Sequence, residues 1–298
     1  MKQIGLVVHP RREISSALAT LEDWCGARGV SLVQVPATGQ ERRVAPEGDA
    51  AECDLIVALG GDGTTLAAIR TAAAAGRPVL GVACGSLGAL TAVSADAIEV
   101  ALDRFAAGDW IARELPALVL ESEGEETLTG VNDVVVVRHG AGQVAADISL
   151  DGELFIRFAG DGLAVATALG SSAYNLAAGG PVLAPDTTAF VFTPLAPHGG
   201  CCPPLVVEES SRLTVELEPG FGGARIELDG QIQDRLAPLD ARTLTITRRA
   251  RHAVLVMLGG EESVLAGLRR RRVLLDSPRI LARDDRAPST DHNPDRRV

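Results

Sequence analysis

The chain has 298 residues, 46% hydrophobic and 22% charged, with a formal net charge of -11. This length accommodates two ordinary domains with a sizeable core. The acidic balance and the 3% aromatic content argue against nucleic acid as a partner. No apolar run reaches the roughly 18–20 residues of a membrane span, and the N-terminal apolar stretch is too short for a signal peptide. A cytoplasmic protein is therefore expected. The five cysteines, Cys25, Cys53, Cys84, Cys201 and Cys202, form no C-x-x-C pair. They read as reduced thiols rather than a zinc site or disulfide frame. The only lysine is Lys2. Any phosphate bound here must be met by backbone N–H groups, arginine or a metal ion.

The first third alternates strand and helix. An apolar strand is expected at residues 4–9. A helix follows on the spacing of Ile14, Ala17, Leu18, Leu21, Trp24 and Cys25, ending at Gly26 or Gly29. Further strands are predicted at 30–35, 54–59 and 78–83, with helices at 64–75, stopped by Gly76, and at 95–107, stopped by Gly108. The alternation implies a parallel sheet with helices on its faces. Between strand 54–59 and helix 64–75 lies Gly60-Gly61-Asp62-Gly63-Thr64. It reads as a plain turn or as a phosphate site at a helix N-terminus. A carboxylate among phosphates would repel them, so in a phosphate site Asp62 needs a cation or a proton to take.

From about residue 110 the period changes to that of strands, expected at 117–121, 131–137, 146–150, 154–158, 213–217, 224–228 and 244–247. Asp151-Gly152 and Asp229-Gly230 are hairpin turn signals. A helix is expected near 172–178 and another at 261–271. The polar, proline-bearing tail from 283 to 298 is expected to be disordered. Asn132-Asp133 opens a strand, and could bind ribose hydroxyls or form an edge turn. Tyr174, the only tyrosine, lies in a Gly-Ser-Ser-Ala-Tyr stretch, either as a core aromatic or as part of a second ligand-binding joint.

Several motifs occur together: Gly60 to Thr64, Gly85-Ser86-Leu87-Gly88-Ala89-Leu90-Thr91, Asn132-Asp133, Asp161-Gly162, Gly170-Ser171-Ser172-Ala173-Tyr174, Gly179-Gly180-Pro181, Pro197-His198 and Asp229-Gly230-Gln231. In that order they resemble the NAD kinase family over roughly residues 1–275. The resemblance implies an N-terminal α/β domain with a Rossmann-like parallel sheet (1–108), a β-rich C-terminal domain (109–260) and a segment returning to the first (261–282). It implies phosphorylation of the adenosine ribose 2′-hydroxyl of NAD by ATP with Mg²⁺ or another divalent cation, giving NADP, in a homodimer or homotetramer. Asp62 would be the base, and Gly60, Gly61, Gly63 and Thr64 the phosphate loop. Asn132 and Asp133 would hold ribose hydroxyls, Asp161, Ser172, Ala173 and Tyr174 would line the dinucleotide site, and Asp229 would lie near the reacting groups. No metal ligand is assigned. The chain departs from the family pattern at Ala83, Ala89, Asp133 and Leu169, mostly around the acceptor pocket. Two alternatives follow: a relative phosphorylating another nucleotide or nucleoside, or a non-catalytic dinucleotide sensor.

Overall fold

The computed structural model describes residues 1–39, 42–234 and 239–284. The chain divides into two compact units, Met1–Glu261 and Glu262–Val298. The first begins β1 (Gln3–Val8), α1 (Ser15–Arg28), β2 (Ser31–Gln34), β3 (Leu55–Gly60), α2 (Asp62–Ala75) and β4 (Pro78–Ala83). Of the two glycines that could stop α1, Gly29 does so, at φ 65°. Gly76 stops α2 at φ 63°. Both lie in the left-handed region that glycine adopts without a Cβ penalty. Helix α2 starts at Asp62, two residues earlier than its alanine run suggests.

Strands β4-β3-β1-β2 are parallel and adjacent in that order. Alternate β3 residues face opposite ways. Leu55, Val57 and Leu59 pack with α1 residues Ala17, Leu21 and Trp24. Ile56 and Ala58 pack with α2 residues Ala68, Ile69 and Ala72. The two crossovers thus run on opposite faces, α1 from β1 out to β2 and α2 from β3 out to β4. The strand order therefore reverses between β1 and β3, which remain parallel neighbours. The loops leaving those strands separate there, which is where open α/β sheets bind ligands.

The chain continues through β5 (Val93–Ser94), α3 (Ile98–Ala106), β6 (Ile111–Ser122), β7 (Leu128–Gly130), β8 (Asp133–Arg138), β9 (Val144–Leu150), β10 (Glu153–Gly160), β11 (Gly162–Ala166), the single turn α4 (Tyr174–Ala177), β12 (Phe190–Leu195), β13 (Leu205–Val207), β14 (Leu213–Pro219), β15 (Ala224–Leu228), β16 (Gln231–Ile232) and β17 (Arg242–Met257). The β17 strand is four times the length its sequence suggests, because Arg248-Arg249-Ala250-Arg251-His252 breaks the apolar alternation. Its register with β6 shifts between Arg249 and Ala253. Beyond that irregularity Val254 and Leu255 pair in parallel with β4, while Leu244 and Ile246 pair antiparallel with β14. One strand therefore joins the parallel and antiparallel parts into a sheet ordered β10-β9-β14-β17-β4-β3-β1-β2.

A second, antiparallel sheet is ordered β13-β12-β11-β8-β15-β16. Strand β12 has no alternation, because all six of its residues are buried. Its Pro194 speaks against a central strand, yet β13 covers β12 only at Phe190–Phe192, so Pro194 has no partner on that side. Val134, Val136, Phe190, Phe192 and Ile226 of this sheet pack on Val144, Ile148, Val215 and Ile246 of the first. Asp151 and Gly152 have φ of 50° and 87°, and Asp229 and Gly230 have φ of 52° and 73°. Both pairs make the hairpins their sequences signal.

In the second unit, α5 (Val264–Arg270) is capped by Ser263, whose hydroxyl accepts from the Ala266 N–H at 3.2 Å, and α6 runs Pro278–Asp284. The tail expected to be disordered falls almost wholly on 285–298, outside the described residues.

Candidate active site

The β3–α2 junction is built by close approaches. A β-carbon on Gly60 would overlap the Thr64 side chain. Gly61 is extended, at φ -148°, and caps α2. Asp62 is the first helical residue, so its carboxylate stands among N–H groups with no intrahelical partner. Two further donors come from the loop after β4. Ala89 N–H donates to Asp62 Oδ2 and Leu90 N–H to Oδ1, both at 2.9 Å. A β-carbon on Gly88 would collide with the same carboxylate. The Gly85-Ser86-Leu87-Gly88 loop thus folds onto Asp62 and fixes its orientation. A carboxylate has about four acceptor positions, more than these two bonds use.

A cavity of about 320 Å³ opens beside this loop, lined by His9, Arg12, Thr38, Gly61, Asp62, Gly63, Thr64, Arg70 and Gln231 among others. His9 Nδ1 accepts from the N–H groups of Arg11 and Arg12, at 3.1 and 2.9 Å. Burial, then the charges of Arg12 and Arg11, hold its imidazole below the ordinary histidine pKa. It is therefore neutral near pH 7 and pins the loop that carries Arg12. The Arg12 guanidinium lies beside Gly61 and Gly85, 3.4 Å from the Gly60 carbonyl. Sequence reading missed Arg12 and Arg70. The usable signal for Arg12 was its place just after a parallel strand, in a chain whose only lysine is Lys2.

The other candidate residues gather on the second sheet. Asp133 opens β8 and is 4% exposed. Asp229, at the β15–β16 hairpin, has a wholly buried side chain. Its Oδ1 accepts from Asn132 N–H at 2.6 Å and Asp133 N–H at 3.3 Å, and its own N–H donates to the Asp133 carbonyl at 3.1 Å. The hairpin aspartate is thus also an anchor for the Asn132-Asp133 pair. Burial, then the charges of Asp229 and Glu227, push the Asp133 carboxyl up to about 7. Burial and Glu227 raise Tyr174, which Arg225, Asp133 and Asp161 also influence, so these groups form one neighbourhood. Asp161 is ion-paired with Arg138 at 2.7 Å on the half-exposed edge of that neighbourhood.

Ser172, Ala173 and Tyr174 are held by a buried polar network beneath them. Asn175 Nδ2 donates to the Ser171 and Pro181 carbonyls, each at 2.9 Å, and its Oδ1 accepts from the Thr193 hydroxyl at 2.7 Å. Thr167 Oγ1 donates to the Val131 carbonyl at 2.7 Å, and Gly170 packs against the Asn132 backbone with no room for a β-carbon. The two loops that carry Asn132 and Ser172 are therefore locked together. Leu169 packs against a core that includes Leu90 and Val131. Arg70, reaching from α2 to within 3.7 Å of Asp229 Oδ2, connects this neighbourhood to the Asp62 cavity.

Two family profiles match successive stretches of the chain. The profile of the ATP-NAD kinase N-terminal domain matches residues 4–110, and that of the ATP-NAD kinase C-terminal domain matches residues 131–258. The chain is 32% identical over 261 residues to an NAD kinase of Chlorobaculum tepidum, covering 85% of this chain and 91% of the relative. It is 34% identical over 265 residues to an NAD kinase of Koribacter versatilis, covering 85% and 92%. The fold is similar to that of an Archaeoglobus fulgidus NAD kinase solved with ATP, with a TM-score of 0.72, 23% identity, and coverage of 92% of this chain and 100% of the other. It is also similar to yeast NADH kinase solved with NADH, with a TM-score of 0.75, 21% identity, and coverage of 93% and 89%. Two matching domain profiles and relatives above 30% identity over most of their length place this chain in the ATP-NAD kinase family.

Proposed function

We propose that this chain is an enzyme that transfers the γ-phosphoryl group of ATP to the 2′-hydroxyl of the adenosine ribose of NAD. The observation that carries the assignment of roles is Asp62, a carboxylate oriented by two N–H groups at the rim of a cavity otherwise furnished with phosphate-binding groups. The Gly60-Gly61-Asp62-Gly63-Thr64 loop, Arg12 and the α2 N-terminus hold the triphosphate. Asn132 and Asp133, set by Asp229, hold ribose hydroxyls of the acceptor, and Asp161, Ser172, Ala173 and Tyr174 line its dinucleotide site. The ribose oxygen forms a bond to the γ-phosphorus as the bond to the ADP oxygen breaks, and the hydroxyl proton passes to Asp62.

Among the described residues no group of three or more His, Cys, Asp or Glu side chains could hold a metal ion by itself. A single carboxylate beside a phosphate cavity fits a Mg²⁺ ion that would arrive on the triphosphate, and Asp62 is the residue that would hold it. Such an ion supplies neutralisation of phosphate charge.

A homo-oligomeric assembly fits the exposed Leu154 and Phe155 on edge strand β10 and Val206 on edge strand β13. A cytoplasmic location fits five free cysteines. The test of the reaction is purified protein with Mg²⁺-ATP against NAD, NADH, other nucleotides and nucleosides, with product read by an NADP-specific dehydrogenase. ATP consumption dependent on NAD with NADP formed is the expected result. ATP consumption only with another acceptor, or dinucleotide binding without turnover, would replace this reading with one of the two alternatives.

A further inference from the structure

One side chain belongs to both halves of the site. Arg70 lines the cavity that holds Asp62 and Thr64, and it also lines a neighbouring cavity of about 300 Å³ with Thr38, Thr129, Leu228 and Gln231. Its side chain is 23% exposed, and its ion-pair partner is Asp229, with Nη1 3.7 Å from Oδ2. That separation is too long for a hydrogen bond. Asp229 Oδ2 is buried and has no hydrogen-bond partner among the described residues. Its other oxygen is engaged by the Asn132 and Asp133 N–H groups. Asp229 is therefore fixed whether or not Arg70 is near it, and Arg70 is held to it by charge alone.

We infer that Arg70 is a binding residue for the donor's phosphate chain, and that it reaches the phosphates by giving up Asp229. The inference rests on the assignment of the Asp62 cavity to the triphosphate. A guanidinium offers five N–H donors in a planar fork that fits phosphate oxygens in pairs. Arg70 has a rigid helical base on α2, in the same cavity as the glycine loop. Exchanging a 3.7 Å contact for short charge-assisted bonds favours the phosphate. The exchange has a consequence at the far end. Asp229 loses its counter-charge when the donor binds, so Asp229 and the donor compete for one guanidinium.

This competition separates the inference from a purely structural role. Binding of Mg²⁺-ATP and of inorganic tripolyphosphate with Mg²⁺ is measured calorimetrically without NAD. Arg70→Met is expected to weaken both by about tenfold or more, as for loss of a hydrogen bond to a charged group, and Arg70→Lys to restore part of the loss. Asp229→Asn is expected to tighten both several-fold, because Arg70 is released, and the double variant Arg70→Met/Asp229→Asn is expected to lack that gain. The double variant also avoids leaving a buried carboxylate uncompensated should Arg70→Met fold poorly. Unchanged tripolyphosphate affinity in a folded Arg70→Met, or tightening by Asp229→Asn that persists without Arg70, overturns the inference. So does an Arg70→Lys enzyme whose KM rises for NAD but not for ATP. Gly61→Val, which places a branched side chain beside Arg12, separates the two levels. If it leaves tripolyphosphate binding intact, the assignment of the cavity fails. If it abolishes binding while Arg70→Met does not, only the role of Arg70 fails.

Discussion

The two halves of the site handle polar groups in opposite ways. The half at the end of the parallel sheet is made of backbone, with glycines packed against their neighbours, N–H groups turned inward, two arginines and one oriented carboxylate. The half on the antiparallel sheet is made of buried side chains, with Asp133 and Asp229 nearly sealed from solvent and Glu227 close by. Backbone N–H groups at a helix start hold an anion with little reorganisation. Buried carboxylates instead suit neutral hydroxyls, which can donate to them. The contrast matches a donor that is a polyanion and an acceptor that presents ribose hydroxyls. It also predicts that the half holding Asp133 responds to pH near neutrality.

The largest effect tests the one carboxylate in the backbone-built half. Asp62→Asn keeps the shape and one of the two N–H contacts, through its remaining oxygen, but takes up no proton. Turnover is expected to fall by roughly 10²–10⁴, the usual loss for a positioned acid–base group, with ATP affinity little changed. Steady-state kinetics and ATP binding read the two separately, and near-normal turnover would remove Asp62 from its role.

The next effect lies in the carboxylate half. Asp133 has a folded pKa of about 7 against an ordinary value near 4. Between those values the folded state binds more protons than the unfolded one, so stability falls as pH rises from about 4 to about 7, and the full cost persists above 7. Removing that charge with Asp133→Asn is expected to flatten this slope and to raise stability at pH 8 by a few kcal/mol, measured by urea unfolding across pH. At the same time the KM for NAD is expected to rise more than that for ATP. An unchanged pH slope would show that Asp133 is not the group that titrates.

A smaller effect tests how tightly the backbone-built half is packed. Gly88→Ala places a methyl against the Asp62 carboxylate. Overpacking of this kind costs about 1–3 kcal/mol, and displacement of Asp62 is expected to lower kcat about tenfold or more while NAD affinity stays within twofold. Wild-type kcat in this variant would mean that the 85–88 loop has space to move away.

The smallest expected effect concerns Ala89, where the family pattern has phenylalanine. Ala89 is partly exposed beside the buried Leu90, and Leu169 packs against the core containing Leu90 and Val131. Ala89→Phe adds several tens of Å² of apolar contact, about 1 kcal/mol at roughly 25 cal/mol per Å². NAD is expected to bind several-fold tighter with kcat unchanged, as read by calorimetry. Weaker binding would show that Leu169 has already taken the space.

Sequence alone reached the parallel strand–helix alternation, both Asp-Gly hairpins and the Asp62 loop, because each is a local signal. A short apolar run, a glycine at positive φ and a helix start are written within a few residues. It singled out Asn132, Asp133 and Tyr174 as polar or aromatic groups beside turns, and their roles as acceptor-binding residues came only from the family's motif order. What lay beyond it was non-local. The length of β17 depends on β4 and β6 lying alongside it, so the polar stretch 248–252 hid a strand that pairing supplies. Strand β12 lacks alternation because both its faces are covered. The contacts of Ala89 and Leu90 with Asp62, of Arg12 with the glycine loop, and of Arg70 with Asp229 join residues 27, 28, 48 and 159 positions apart. Residue types set what each group can donate, accept or bury. Only the tertiary structure decides which groups meet, because a carboxylate or guanidinium takes its partner from whatever the fold brings within hydrogen-bonding or ion-pairing reach.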